Sequence, residues 1–164
     1  MSRISQKRLH ELLTYNMETG EFVWLVNRGT IKAGASAGTY TSNGLGYRQI
    51  CVDGHVYIAH RLAWLYVYGV WPSHAIDHIN GNPSDNRIKN LRNVSLLVNQ
   101  QNQKKAHRSN RHSKLIGASL SKNKFRARIK INGKDVHLGT FSTQELAHAA
   151  YVSAKRIHHE GNTL

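Results

Sequence analysis

The sequence predicts an α+β chain of two small modules. In the first, a strand, loop, strand and helix form a core preceded by a small N-terminal region of helix and hairpin; the second is a three-stranded antiparallel sheet with one helix. Three observations carry this expectation. Residues 74–103 hold two short strand patterns around turn residues and then a helix start. Phe125 to Ile131 alternates apolar and cationic side chains without a break. Between them, residues 104–114 are basic with almost nothing to bury, so modules are expected at 1–103 and 115–164 with a linker between them.

The elements follow in chain order. Ser5 is a plausible cap for a helix running to Leu13, with Leu9, Leu12 and Leu13 on one face. Thr19-Gly20 turns the chain into Glu21 to Val26, which is rich in strand formers. The glycine-rich stretch 29–46 reads as a long loop or a small irregular sheet. Tyr47–Val52 and Val56–Ile58 flank Asp53-Gly54, a favoured two-residue hairpin turn; Cys51, within that alternating pattern, is expected to be buried. Ala59 to Tyr68 has helical spacing, and Gly69 and Pro72 stop it.

Composition narrows the function classes. No apolar run approaches the roughly 20 residues needed to span a bilayer, and no apolar stretch follows the basic N-terminus, so a cytoplasmic protein is expected. A single cysteine excludes an internal disulfide and a thiolate zinc site. Lys and Arg number 23 against 9 Asp and Glu, a net charge of +14, of which +10 falls in residues 103–164. Such a field concentrates phosphate backbones, and binding through it is steeply salt-dependent. A polyanionic partner is therefore expected, double-stranded DNA first. A membrane partner is not, because the chain lacks a basic amphipathic helix with an aromatic apolar face.

The informative stretch runs Ala75-Ile-Asp77-His78-Ile, then Asn80-Gly-Asn-Pro83, Asp85-Asn86-Arg87, Asn90-Leu91 and Ser95 to Asn99. Ala75 to Ile79 reads as a strand, and Asn80 to Pro83 is turn chemistry. Leu91 to Val94 returns as a second strand, and Ser95 is placed to cap a helix with Asn99 in its first turn. This order and these residues resemble the ββα-metal fold of HNH endonucleases, over roughly His60 to Gln103 and in particular the phage and homing branch, where the last metal ligand is often Asn.

The resemblance implies roles by motif position. Asp77 and Asn99 are implied metal ligands, His78 the general base, and Asn90 the residue that braces the loop and orients His78. It also implies cleavage to 5′-phosphate and 3′-hydroxyl ends. The chemistry agrees with the residue types. Histidine titrates close to neutrality, so it can be basic at working pH. A carboxylate with an amide oxygen is a hard pair that suits one divalent ion, Mg²⁺ or Mn²⁺, whose shell DNA phosphate and water complete. His60 and Arg61 are placed either to approach the site or DNA, or to take a packed or surface role.

In the C-terminal module Phe125, Ala127, Ile129 and Ile131 alternate with Arg126, Arg128 and Lys130. Asn132-Gly133 is a hairpin turn signal, Val136 to Thr140 returns, and Gly117 to Leu120 adds an edge strand. Ser142-Thr-Gln-Glu145 reads as a capping box for a helix to about His158, with Ala147, Ala150, Tyr151 and Ala154 toward the sheet. With His-Leu-Gly-Thr-Phe and Ala-x-Ala-Ala-Tyr, this resembles the ethylene-response-factor (apetala-type) DNA-binding domain. That resemblance implies DNA contact by Arg126, Arg128, Lys130 and His137, either to guanine edges or to phosphates. Lys104, Lys105, Arg108 and Arg111 of the basic segment are equally suited to solvation or to tracking DNA. A monomer or weak dimer is expected, and a DNA-binding regulator with an inactive HNH scaffold is the competing reading. An RNA-binding protein is the third.

Overall fold

The structure, a computed structural model, describes residues 3–104, 106, 107, 110 and 113–164. It divides into two compact units, Met1–Ser95 and Leu96–Leu164. The division falls earlier than residue 103, because the helix after Ser95 groups with the C-terminal unit.

In the first unit α1 (Gln6–Leu12) is capped by Ser5, whose hydroxyl accepts from the Arg8 amide at 3.2 Å. The helix ends one residue before the expected Leu13. Leu13–Tyr15 is instead strand β1, antiparallel to β2 (Phe22–Trp24) in the register Leu13 to Trp24. The leucine stripe misleads here: Leu13 is buried in either conformation, and the pairing with Trp24 decides which one forms.

The glycine-rich stretch contributes β3 (Thr39–Tyr40), which pairs with β4 (Arg48–Val52), itself paired with β5 (His55–Ile58). Asp53 and Gly54 both take positive φ, 47° and 78°, as the two-residue turn requires. Ile50 and Val52 point into the core, so Cys51 between them points outward and is exposed, contrary to the expectation of a buried thiol. Helix α2 (Ala59–Tyr68) stops at Gly69, which is left-handed at φ 74°.

Strands β6 (Ala75–His78) and β7 (Leu91–Val94) pair antiparallel, His78 opposite Leu91 and Asp77 opposite Arg92. A single 3-10 turn, Ile88–Asn90, leads into β7. Ile76 and Leu91 anchor this pair to a core that also holds Leu9, Phe22, Trp24, Ile50, Leu62 and Leu65. Each fully buried aliphatic or aromatic side chain there contributes about 1.5–3 kcal/mol.

In the second unit α3 (Leu96–Gln101) leads to the sheet β8 (Ala118–Ser121), β9 (Lys124–Ile131) and β10 (Lys134–Phe141), in the order β10-β9-β8. A register shift between His137 and Gly139 bulges β10. Helix α4 (Gln144–His158) is capped by Thr143, whose side chain accepts from the Leu146 amide, so the cap lies one residue after the expected Ser142. Ala147 packs against Ala118 and Ala127. A Cβ at Gly117 would meet the Tyr151 ring at 1.9 Å, so only glycine allows this approach.

The expected linker is tied down at its C-terminal end. Ser113 is buried, its hydroxyl donates to the Ala118 carbonyl at 2.6 Å, and Asn110 Nδ2 donates to the same carbonyl at 2.6 Å. The Lys155 ammonium, also buried, donates to the Gln103 carbonyl at 2.6 Å, and burial pushes its pKa down. Among the described residues no helix is long and apolar enough to cross a membrane.

Candidate active site

The β6–β7 pair carries the side chains singled out by the sequence. Strand β6 is buried on both faces at its C-terminal end, which places Asp77 and His78 side by side in the chain, each 5% exposed. The Asp77 carboxylate meets the Arg92 guanidinium across the ladder, with Nε and Nη2 2.8 and 2.7 Å from Oδ2. A buried carboxylate needs such a partner, since desolvation otherwise disfavours its charged form.

His78 is enclosed by rings and an amide. His60 stands edge-on to it at 5.0 Å between ring centroids, Tyr47 lies at 5.9 Å, and Nε2 is 3.3 Å from Asn86 Oδ1. An amide oxygen only accepts, so a hydrogen bond at this contact requires the proton on Nε2. Burial pushes the His78 pKa down, against the Asn86 hydrogen bond and the Asp77 and Asp85 carboxylates, which raise it. Burial thus favours the neutral imidazole, the form a general base requires. Burial, His78 and Arg61 together push His60 down to about 3, and its Nδ1 is buried with no hydrogen-bond partner.

Asn90 braces the loop between the strands. Its Oδ1 accepts from the Asn80 amide at 2.9 Å, while its Nδ2 donates to Asn80 Oδ1 at 3.0 Å and to the Asp85 carbonyl at 2.8 Å. Its backbone carbonyl accepts from Ile79. The amide side chain that meets the His78 ring is that of Asn86. Asn80 Nδ2 and the Arg87 guanidinium both bind the Asp85 carboxylate, and Arg87 foremost holds that carboxyl at about 2.

Asn99 is the fourth residue of α3 and lies in the second unit, while Asp77, His78 and Asn90 lie in the first. Among the described residues there is no cluster of three or more His, Cys, Asp or Glu side chains placed to hold a metal ion. Asp77 is a hard oxygen donor of the type a divalent ion takes, already shared with Arg92.

On the second unit Arg126, Arg128 and Lys130 are exposed on one face of β9, while Ala127 and Ile129 between them are buried. His137 is exposed and stands opposite Arg128, and Asp135 stands opposite Lys130. Lys104 is half-buried and donates to the Thr163 carbonyl at 3.3 Å. Lys105, Arg108 and Arg111 lie outside the described residues. Sequence reasoning missed Asn86 and assigned no role to it. It left His60 open between packing and the site.

Residues 57–102 match the family model described as HNH endonuclease, just over a quarter of the chain. No curated protein and no solved structure matches. The matched segment contains Asp77, His78, Asn90 and Asn99, and the match supports an HNH nuclease acting on nucleic acid.

Proposed function

We propose that the chain is a metal-dependent HNH endonuclease of the phage or homing type that hydrolyses phosphodiester bonds in double-stranded DNA. The observation that carries this reading is the buried, enclosed His78 beside Asp77 on a strand pair whose loop Asn90 braces. In this reading Nδ1 of His78 takes the proton of the attacking water. By motif position Asp77 and Asn99 are the residues that would hold a Mg²⁺ or Mn²⁺ ion, which would supply positive charge to the developing transition state. Asn90 keeps the loop, and with it the end of β6, in place.

Targeting is assigned to the exposed cationic row Arg126, Arg128 and Lys130 with His137. Strict alternation with buried Ala127 and Ile129 aims all three cations to the same side, as a sheet laid on DNA needs. Lys104, Lys105, Arg108 and Arg111 would add further cations for DNA contact. One site per chain suits a monomer that nicks, or a weak dimer that breaks both strands. Placement in the cytoplasm of a bacterial host belongs to the same proposal.

The Asp77–Arg92 ion pair favours a second reading, a DNA-binding regulator whose nuclease region is an inactive scaffold, because the carboxylate that would ligate the ion is already matched by a guanidinium. End-labelled duplex DNA incubated with Mg²⁺ or Mn²⁺ separates the two. The nuclease reading expects products with 5′-phosphate and 3′-hydroxyl ends, lost in Asp77→Ala. Intact duplex with either ion, from protein that still binds it, would sink that reading.

A further inference from the structure

His78 can act as a base through one nitrogen only, and which nitrogen is fixed by what the other touches. Asn86 occupies that position. It is 2% exposed, and its Oδ1 faces His78 Nε2 at 3.3 Å in a buried contact. Its backbone is pinned independently. The Tyr15 hydroxyl, on β1, donates to the Asn86 carbonyl at 2.6 Å from 71 residues away. A Cβ at Gly20 would lie 2.5 Å from the Arg87 nitrogen and 2.6 Å from the Asn86 carbonyl carbon, so the β1–β2 turn packs directly on this peptide. An amide whose backbone is held from two directions and whose oxygen meets one imidazole nitrogen is arranged to orient that ring. His60 and Tyr47 wall the ring at 5.0 and 5.9 Å.

We propose that Asn86 is a positioning residue for His78: its amide oxygen holds the imidazole in the Nε2–H tautomer, so that Nδ1 presents the lone pair. The N-terminal hairpin, through Tyr15 and Gly20, is the buttress that keeps this amide in place. The catalytic consequence rests on the nuclease reading; the tautomer does not.

The test is long-range ¹H–¹⁵N correlation of the histidine rings in the ¹⁵N-labelled full-length chain near pH 8, with the His78 signals identified by their loss in His78→Gln. The expected result is a protonated-type shift at Nε2 and a lone-pair-type shift at Nδ1. In Asn86→Leu, which keeps size and removes the acceptor, the two shifts move toward each other or exchange, and Asn86→Asp restores the original pattern. A lone-pair-type Nε2 in the unsubstituted protein overturns the proposal, with no variant needed. Unchanged His78 shifts in a folded Asn86→Leu protein overturn it too. For cleavage, Asn86→Leu lowers kcat about 100-fold with KM within about threefold, and Asn86→Asp recovers most of it. If the unsubstituted protein has the Nε2–H tautomer and cuts no DNA, the tautomer assignment stands and the nuclease reading fails.

Discussion

Asp77 and Arg92 face each other across the β6–β7 ladder, with Nη2 of the guanidinium 2.7 Å from Oδ2 of the carboxylate. The carboxylate is buried and the arginine about a quarter exposed, so the pair is shielded on one side only. Arg92→Ala removes the guanidinium from a buried carboxylate and is expected to cost about 2 kcal/mol, below the range for fully enclosed pairs. In the nuclease reading it also removes a cation that competes for Asp77, so the Mg²⁺ concentration for half-maximal cleavage is expected to fall. Urea unfolding and a Mg²⁺ titration measure the two effects; an unchanged unfolding midpoint would contradict the burial of the pair.

His60 gives the first unit a defined pH dependence. Its folded pKa is depressed to about 3 from an ordinary value of 6.5, chiefly by burial. The unfolded chain therefore binds a proton that the folded one does not between those values, and stability falls as pH drops from 6.5 toward 3, by up to about 1.4 kcal/mol per unit. His78, also depressed, adds in the same direction. His60→Phe keeps a ring against His78 and removes the unpartnered Nδ1, so it is expected to be neutral or stabilising at pH 7 and to flatten the acid limb. An acid limb as steep as that of the unsubstituted protein would show that His60 is not the titrating group.

Gly117 and Gly133 both have positive φ, 78° and 79°, but only Gly117 is crowded. Gly117→Ala drives a methyl into Tyr151 and is expected to cost about 3 kcal/mol or more, whereas Gly133→Ala meets nothing within 4 Å and costs about 1 kcal/mol. Thermal unfolding of the two variants should rank them in that order. Equal losses would mean that Tyr151 does not pack on the sheet as described.

Much of this architecture is readable from local signals. Asp53-Gly54 and Asn132-Gly133 mark their hairpins because few residue pairs accept two positive φ values in succession. Gly69 marks the end of α2 because glycine takes the left-handed φ of 74° without strain. Leu13–Tyr15 is not readable in this way, because its leucine extends a helical stripe and its strand partner lies in the following segment. Cys51 faces outward by strand parity, since Ile50 and Val52 occupy the inward positions on either side. The Asp77, His78 and Asn90 spacing announces the strand pair and its loop. Asn86 has no signal of its own inside a run of turn residues; its position beside His78 exists only once Tyr15 and Gly20 close on the loop. The burial of Lys155 is equally silent, since its neighbour Arg156 on the same helix is exposed.

The cationic face of β9 should govern DNA affinity without governing chemistry. Replacing Arg126, Arg128 and Lys130 with Ala is expected to lower the slope of log affinity against log salt by about 2–3. Slow cleavage at saturating protein persists. Fluorescence anisotropy over a salt series reads the slope, and an unaltered slope would remove this face from the interface.

The most direct measurement is the conversion of supercoiled plasmid to nicked or linear product by the unsubstituted protein and by His78→Ala, each with Mg²⁺, with Mn²⁺ and with EDTA. The expected result is metal-dependent conversion that falls at least about 100-fold in His78→Ala while DNA binding is retained. Plasmid left supercoiled with both ions, or cut equally well by His78→Ala, would contradict a nuclease that uses this imidazole as its base.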